Sequence, residues 1–186
     1  SDGSSLPEAG IVYIKDASGK FFRPDSTYFW KDFMGHPFTG FPCDSVFNIE
    51  LPYGKYYYEI DRGPEYYLTT GSIDVDHPEA SVEPHLKRIV DLKAKNWWSG
   101  EMHVHRKIND VEMLMKASDL HVCSPITSWN ENNPYKSMGI NCDFSSRKLD
   151  GDRYYCPTGS EEERDGGALL ILNLPKPMNM ERKEDH

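Results

Sequence analysis

Apolar and polar positions alternate in short bursts over the first half of the chain. Ile11 to Ile14 predicts a short strand, and Asp16 to Lys20 (DASGK) a turn after it. Ser45 to Leu51 (SVFNIEL) reads as a further strand leading to a Pro52-Tyr53-Gly54 turn. Lys55 to Asp61 (KYYYEID) alternates as a half-buried strand does. Gly63 to Val75 predicts two more short strands around Gly71. Leu86, Arg88, Val90 and Leu92 alternate against Lys87, Ile89 and Asp91. Turns at this spacing predict a small β-sandwich over residues 1–95.

The rhythm changes near Asn96. Glu101 to His105 (EMHVH) predicts a strand. Val111, Leu114 and Met115 then recur at helical spacing, with Asn109 or Asp110 as the cap. Leu120 to Ile126 and Arg153 to Pro157 read as strands. Gly167 to Leu174 (GALLILNL) is a continuous apolar run of the kind buried parallel strands show. Strand, helix, strand is the start of an α/β unit over residues 96–186. The polar stretch from Thr127 to Asp152 is long for a loop, which marks it as functional or poorly ordered.

Composition narrows the partners. The 186 residues carry 30 acidic and 21 basic side chains, a formal charge of −9. That argues against nucleic acid or an anionic membrane surface as a partner. No apolar run has the length of a membrane span, so membrane insertion is not expected. Cys43, Cys123, Cys142 and Cys156 lack the CxxC spacing of a zinc ribbon. A Cys142–Cys156 disulfide and four free thiols both remain open. The opening Ser1-Asp2 suggests that a leader or tag has been removed.

The chemistry concentrates at His103 and His105. On a strand, residues i and i+2 share a face, so two imidazoles would lie side by side, as a metal centre needs. Asp110 could turn back towards them, and Glu161 could reach the same pocket if the fold joins the strand ends. Each alone has a plainer use: Asp110 as a helix cap, and Glu161 to Glu163 as a solvated acidic run. His121 reads as a structural strand residue, and His36, His77, His85 and His186 as turn or terminal residues. Trp97 and Trp98 read as packing at a domain junction.

The run Trp97 to Arg106 (WWSGEMHVHR), followed by Asn109-Asp110, resembles the first metal motif of the PHP (polymerase and histidinol phosphatase) superfamily. The branch it resembles is that of the CehA/McbA-like metallohydrolases. Gly159-Ser160-Glu161 before the apolar Gly166 to Leu172 run looks like that family's GxE element. Leu51 to Tyr67 resembles the prealbumin-like or carboxypeptidase-regulatory-like β-sandwich that precedes the barrel in some members. The resemblance implies a distorted βα barrel and a divalent metal (zinc, manganese or iron). It implies His103, His105 and Glu161 as ligands, Glu161 also having a catalytic bridging role, and Asp110 as a weaker ligand. Ser128 and Trp129 stand where the family has Asp and His, and Gly166-Gly167 where it has Gly-His. A full barrel needs on the order of 200 residues or more. Residues 96–186 would then form only its first part, closed by a missing C-terminal half or by another copy. The implied activity is metal-dependent hydrolysis of a small phosphoester, amide or carbamate. The alternative is a non-catalytic extracellular scaffold or binding module, and the sandwich-plus-hydrolase layout implies an extracellular or periplasmic location.

Overall fold

The computed structural model describes residues 8–25, 39–130, 145–164 and 166–174. Their fold is mostly β, with two sheets and one α-helix among the described residues. The chain divides into two compact units. The first comprises Ser1–Trp97 with Lys116–Asp119, and the second Trp98–Met115 with Leu120–His186.

The first unit holds one antiparallel sheet of five strands: β1 (Gly10–Asp16), β2 (Phe21–Phe22), β3 (Phe41–Cys43), β4 (Gly54–Asp61) and β5 (Thr69–Val75). The order is β2-β1-β4-β5, with β3 also on β1. The registers Val12↔Ile60, Ile14↔Tyr58 and Tyr56↔Ile73 bring the apolar residues of three strands onto one face. That face packs with Phe41, Cys43, Phe47, Ile49 and Leu51 as the unit's core. Strand β5 runs unbroken through Gly71, so the two strands predicted around that glycine are one. The Tyr58 hydroxyl would stand 2.2 Å from a Cβ at position 71, so only glycine lets that ring lie across β5.

The second sheet expected of a sandwich does not form among the described residues. Phe47, Ile49 and Leu51 do turn inward by alternation, but their segment makes no ladder. Residues 85–91 likewise alternate in burial, yet join only through an isolated bridge, Tyr66↔Arg88. Arg88 is held by side-chain chemistry instead. It donates to Glu65 at 2.9 Å and to buried Asp119 at 2.8 Å, and its guanidinium lies over the Tyr66 ring. Alternation reports which side chains point inward; it does not supply a backbone partner.

The second unit contains β6 (Gly100–Val104), α1 (Ile108–Ala117, whose last two residues cluster with the first unit), β7 (Val122–Trp129), β8 (Arg147–Asp150), β9 (Arg153–Tyr155), β10 (Gly159–Arg164) and β11 (Gly167–Ile171). Strand β7 is central. It pairs in parallel with β6, with β9 along its first residues, and with β10 along its last. Val111 and Met115 of α1 pack on Cys123 and Tyr155, with Val104, Ile108, Leu120 and Leu149 around them. The helix begins at Ile108, so Asn109 and Asp110 lie inside its first turn and are not its cap. The apolar run at Gly167 is not a buried parallel strand. Strand β11 pairs antiparallel with β10 at the sheet's edge, and Leu169 is 61% exposed. The Asp-Gly pair just before Gly167 is a tight-hairpin signal, and a hairpin return fixes the antiparallel sense.

Part of the long polar stretch is ordinary strand, because β7 continues to Trp129 and β8 starts at Arg147. Residues 131–144, with Cys142, lie outside the described residues, as do His36 and His186. Cys43, Cys123 and Cys156 are buried free thiols. Trp97 and Trp98, which flank the boundary between the two units, are 70% and 52% exposed. No described helix is long and apolar enough to cross a membrane.

Met115 is 1% exposed, and Met115→Ala should cost about 2–5 kcal/mol by urea unfolding, as buried large-to-small changes do. Burial, and then the Glu101 carboxylate, push the Cys123 thiol from its ordinary 9.0 up to about 12. The folded chain thus keeps neutral a thiol that the unfolded chain ionises. Its contribution to stability is whole below pH 9.0 and is lost as pH rises towards 12. The urea midpoint of the wild type should therefore fall more steeply than that of Cys123→Ala above pH 9.0.

Candidate metal centre

Strand β6 carries His103, and His105 follows one residue past its end. Their shared face is realised: the two Nε2 atoms lie 3.0 Å apart. The backbone N–H of His103 donates to the Glu101 carboxylate at 3.0 Å, which ties down the strand between the rings and Gly100.

Glu161 arrives from β10, and a break in register aims it. Gly159 is level with Ile126, but Ser160 is level with Ser128, so Thr127 is an extra residue on β7. Such a bulge turns the following side chains to the other face. It places Glu161 level with Trp129. The glycine before it is required by contact. A Cβ on residue 159 would sit 2.5 Å from the Pro125 carbonyl oxygen. The buried Ser128 and Ser160 hydroxyls hydrogen-bond to each other just behind Glu161 and lock the shifted register.

The Glu161 Oε2 atom lies 3.1 Å from His103 Nε2 and 2.8 Å from His105 Nε2. Its side chain is 6% exposed, against 45% for His103 and 25% for His105. A carboxylate so deeply buried needs a positive partner. Among the described residues, these three are the one group of His, Cys, Asp or Glu donors that converges within 4.8 Å. Donor atoms around a tetrahedral zinc with bonds of about 2.0 Å stand roughly 3.3 Å apart. The observed separations are close to that edge, and two imidazoles with one carboxylate make a donor set suited to zinc, manganese or iron. The residues present therefore fit a divalent cation. A proton shared between the rings and the carboxylate would satisfy the same atoms without one.

Asp110 does not join the cluster. It sits in the first turn of α1, and burial raises its pKa against the opposing pull of Lys107 and Arg106. His121 stands one residue before β7. Its buried Nδ1 is 2.8 Å from the Ser99 hydroxyl and its ring meets Trp98 edge-on, a structural environment. Two further residues lie beside the donors: Trp129, which the family resemblance marks only as standing where a ligand is absent, and Asn130, which carried no sequence signal. The His105 and Trp129 ring centroids are 5.4 Å apart.

No family model, curated protein or solved structure matches the chain. In Gly159→Ala the new methyl must displace β10 from Pro125. The expected result is a lower thermal midpoint together with shifted imidazole resonances of His103 and His105 in NMR spectra, while the signals of the β1–β5 sheet stay in place.

Proposed function

We propose that the chain is part of a metal-dependent hydrolase of the PHP type, with His103, His105 and Glu161 as its cation ligands. The supporting observation is the convergence of three donor atoms on one point, with the carboxylate buried and the two rings partly open to solvent. The PHP-like motif and the parallel strands that carry it point the same way. Both imidazoles would bind through Nε2 as neutral ligands, and Glu161 would supply the negative charge. When bound, the cation supplies Lewis acidity and lowers the pKa of a coordinated water to about 7. The exposed side of His103 leaves room for a small phosphoester, amide or carbamate to approach. Glu161, fixed by its strand, can orient the attacking water through its carboxylate. The remaining ligands would come from a further part of the barrel.

A second reading rests on β11. Its Ala168 and Leu169 are exposed, with Leu170 and Ile171 half-buried, and among the described residues it pairs only with β10. An open apolar edge accepts another strand. On this reading the chain is a non-catalytic extracellular binding module whose sheet is completed by a second copy. A concentration-independent monomer in sedimentation would argue against it.

Metal analysis of purified protein tests the first reading. Stoichiometric zinc, manganese or iron is expected, falling to background in His103→Ala and His105→Ala. Glu161→Gln keeps the shape but removes the charge, and should bind the ion more weakly. Wild-type protein that takes up no divalent cation from a metal-supplemented buffer would refute the proposal.

A further inference from the structure

Two residues touch the donor set without adding a ligand atom. The Trp129 indole meets the His105 imidazole at an interplanar angle of 65°, and Trp129 is the direct cross-strand neighbour of Glu161. It therefore lies against one donor and beside another. Asn130 follows in the left-handed conformation, with φ 51°. Asparagine adopts that conformation more readily than most L-residues. Its backbone N–H donates to the Glu161 carbonyl at 2.9 Å. Its Oδ1 accepts from the Glu163 N–H at 2.7 Å. The end of β7 thus grips β10 at Glu161 and again two residues on.

We infer that Trp129 and Asn130 are positioning residues that hold the donors ready for a cation, an inference that rests on the metal reading above. Asn130 sets where the Glu161 carboxylate stands along β10, and Trp129 limits rotation of the His105 ring. Residues behind metal ligands act in this way, and losing one typically weakens metal binding by roughly 10–100-fold. The indole also makes the site visible. A bound Co²⁺ would lie close enough to quench Trp129 emission, and Trp129 reaches the site through a ring that phenylalanine can partly replace.

The test uses the whole chain. Zn²⁺ affinity is read by competition with a chromophoric chelator, and Co²⁺ binding by its visible absorption and by indole quenching. Trp129→Ala and Asn130→Gly should each weaken Zn²⁺ by roughly 10–100-fold. Glycine keeps the left-handed backbone and deletes only the side-chain bond, so the Asn130 result reports the clamp. Trp129→Phe should retain near-wild-type affinity and a normal Co²⁺ spectrum while losing most of the Co²⁺-induced quenching. Wild-type affinity in both Trp129→Ala and Asn130→Gly would overturn this inference and leave the metal reading standing. Undiminished quenching in the folded Trp129→Phe protein would overturn the placement of Trp129. A wild type that binds neither Zn²⁺ nor Co²⁺ would overturn the metal reading and this inference together.

Discussion

The second unit depends on one electrostatic constraint: a carboxylate, Glu161, is withdrawn from water and meets two imidazole nitrogens. Burial of an unpaired carboxylate is too costly to persist, so the strands must deliver positive charge to it as a cation or as protons. Everything local serves that delivery. The break in register turns the side chain, Gly159 removes the clash that the break would cause, and paired serine hydroxyls hold the shifted strands. The helix packs its apolar stripe against Cys123 of β7 and Tyr155 of β9, and Val104 of β6, the strand that carries His103, joins the same cluster.

The first unit solves a different problem. Among the described residues its sheet has one apolar face and no second sheet over it. The face is covered by aromatic residues and by an extended, unpaired segment carrying Phe47, Ile49 and Leu51. Buried Arg62, Glu65 and Asp119, with half-buried Arg88, place charges around Tyr66 and tie down backbone that no ladder secures. Paired, these groups are tolerated in the interior; a single deletion would strand the others. The arrangement explains why a region that alternates like a strand forms none.

The local elements were legible where the pattern was strong. Residues 11–14, 55–61 and 101–104 are strands, and the helix lies where Val111, Leu114 and Met115 predicted it. The errors share one cause. Periodicity gives the side a residue faces but not the identity of the neighbouring strand. That is why SVFNIEL and HLKRIVDL looked like sheet, and why GALLI looked buried and parallel when it is an exposed antiparallel edge.

By itself, the sequence determined that His103 and His105 share a face, because a strand repeats every two residues. It also marked Glu161 as a carboxylate entering an apolar stretch. It could not determine that Glu161 meets them across 58 positions, that Asp110 stays apart, or that Trp129 and Asn130 flank the donors. Asp110 is set apart by its place in the first turn of α1, and the meeting at Glu161 turns on a one-residue slip between β7 and β10. Such a slip is set by long-range packing and contact, and no local pattern encodes it.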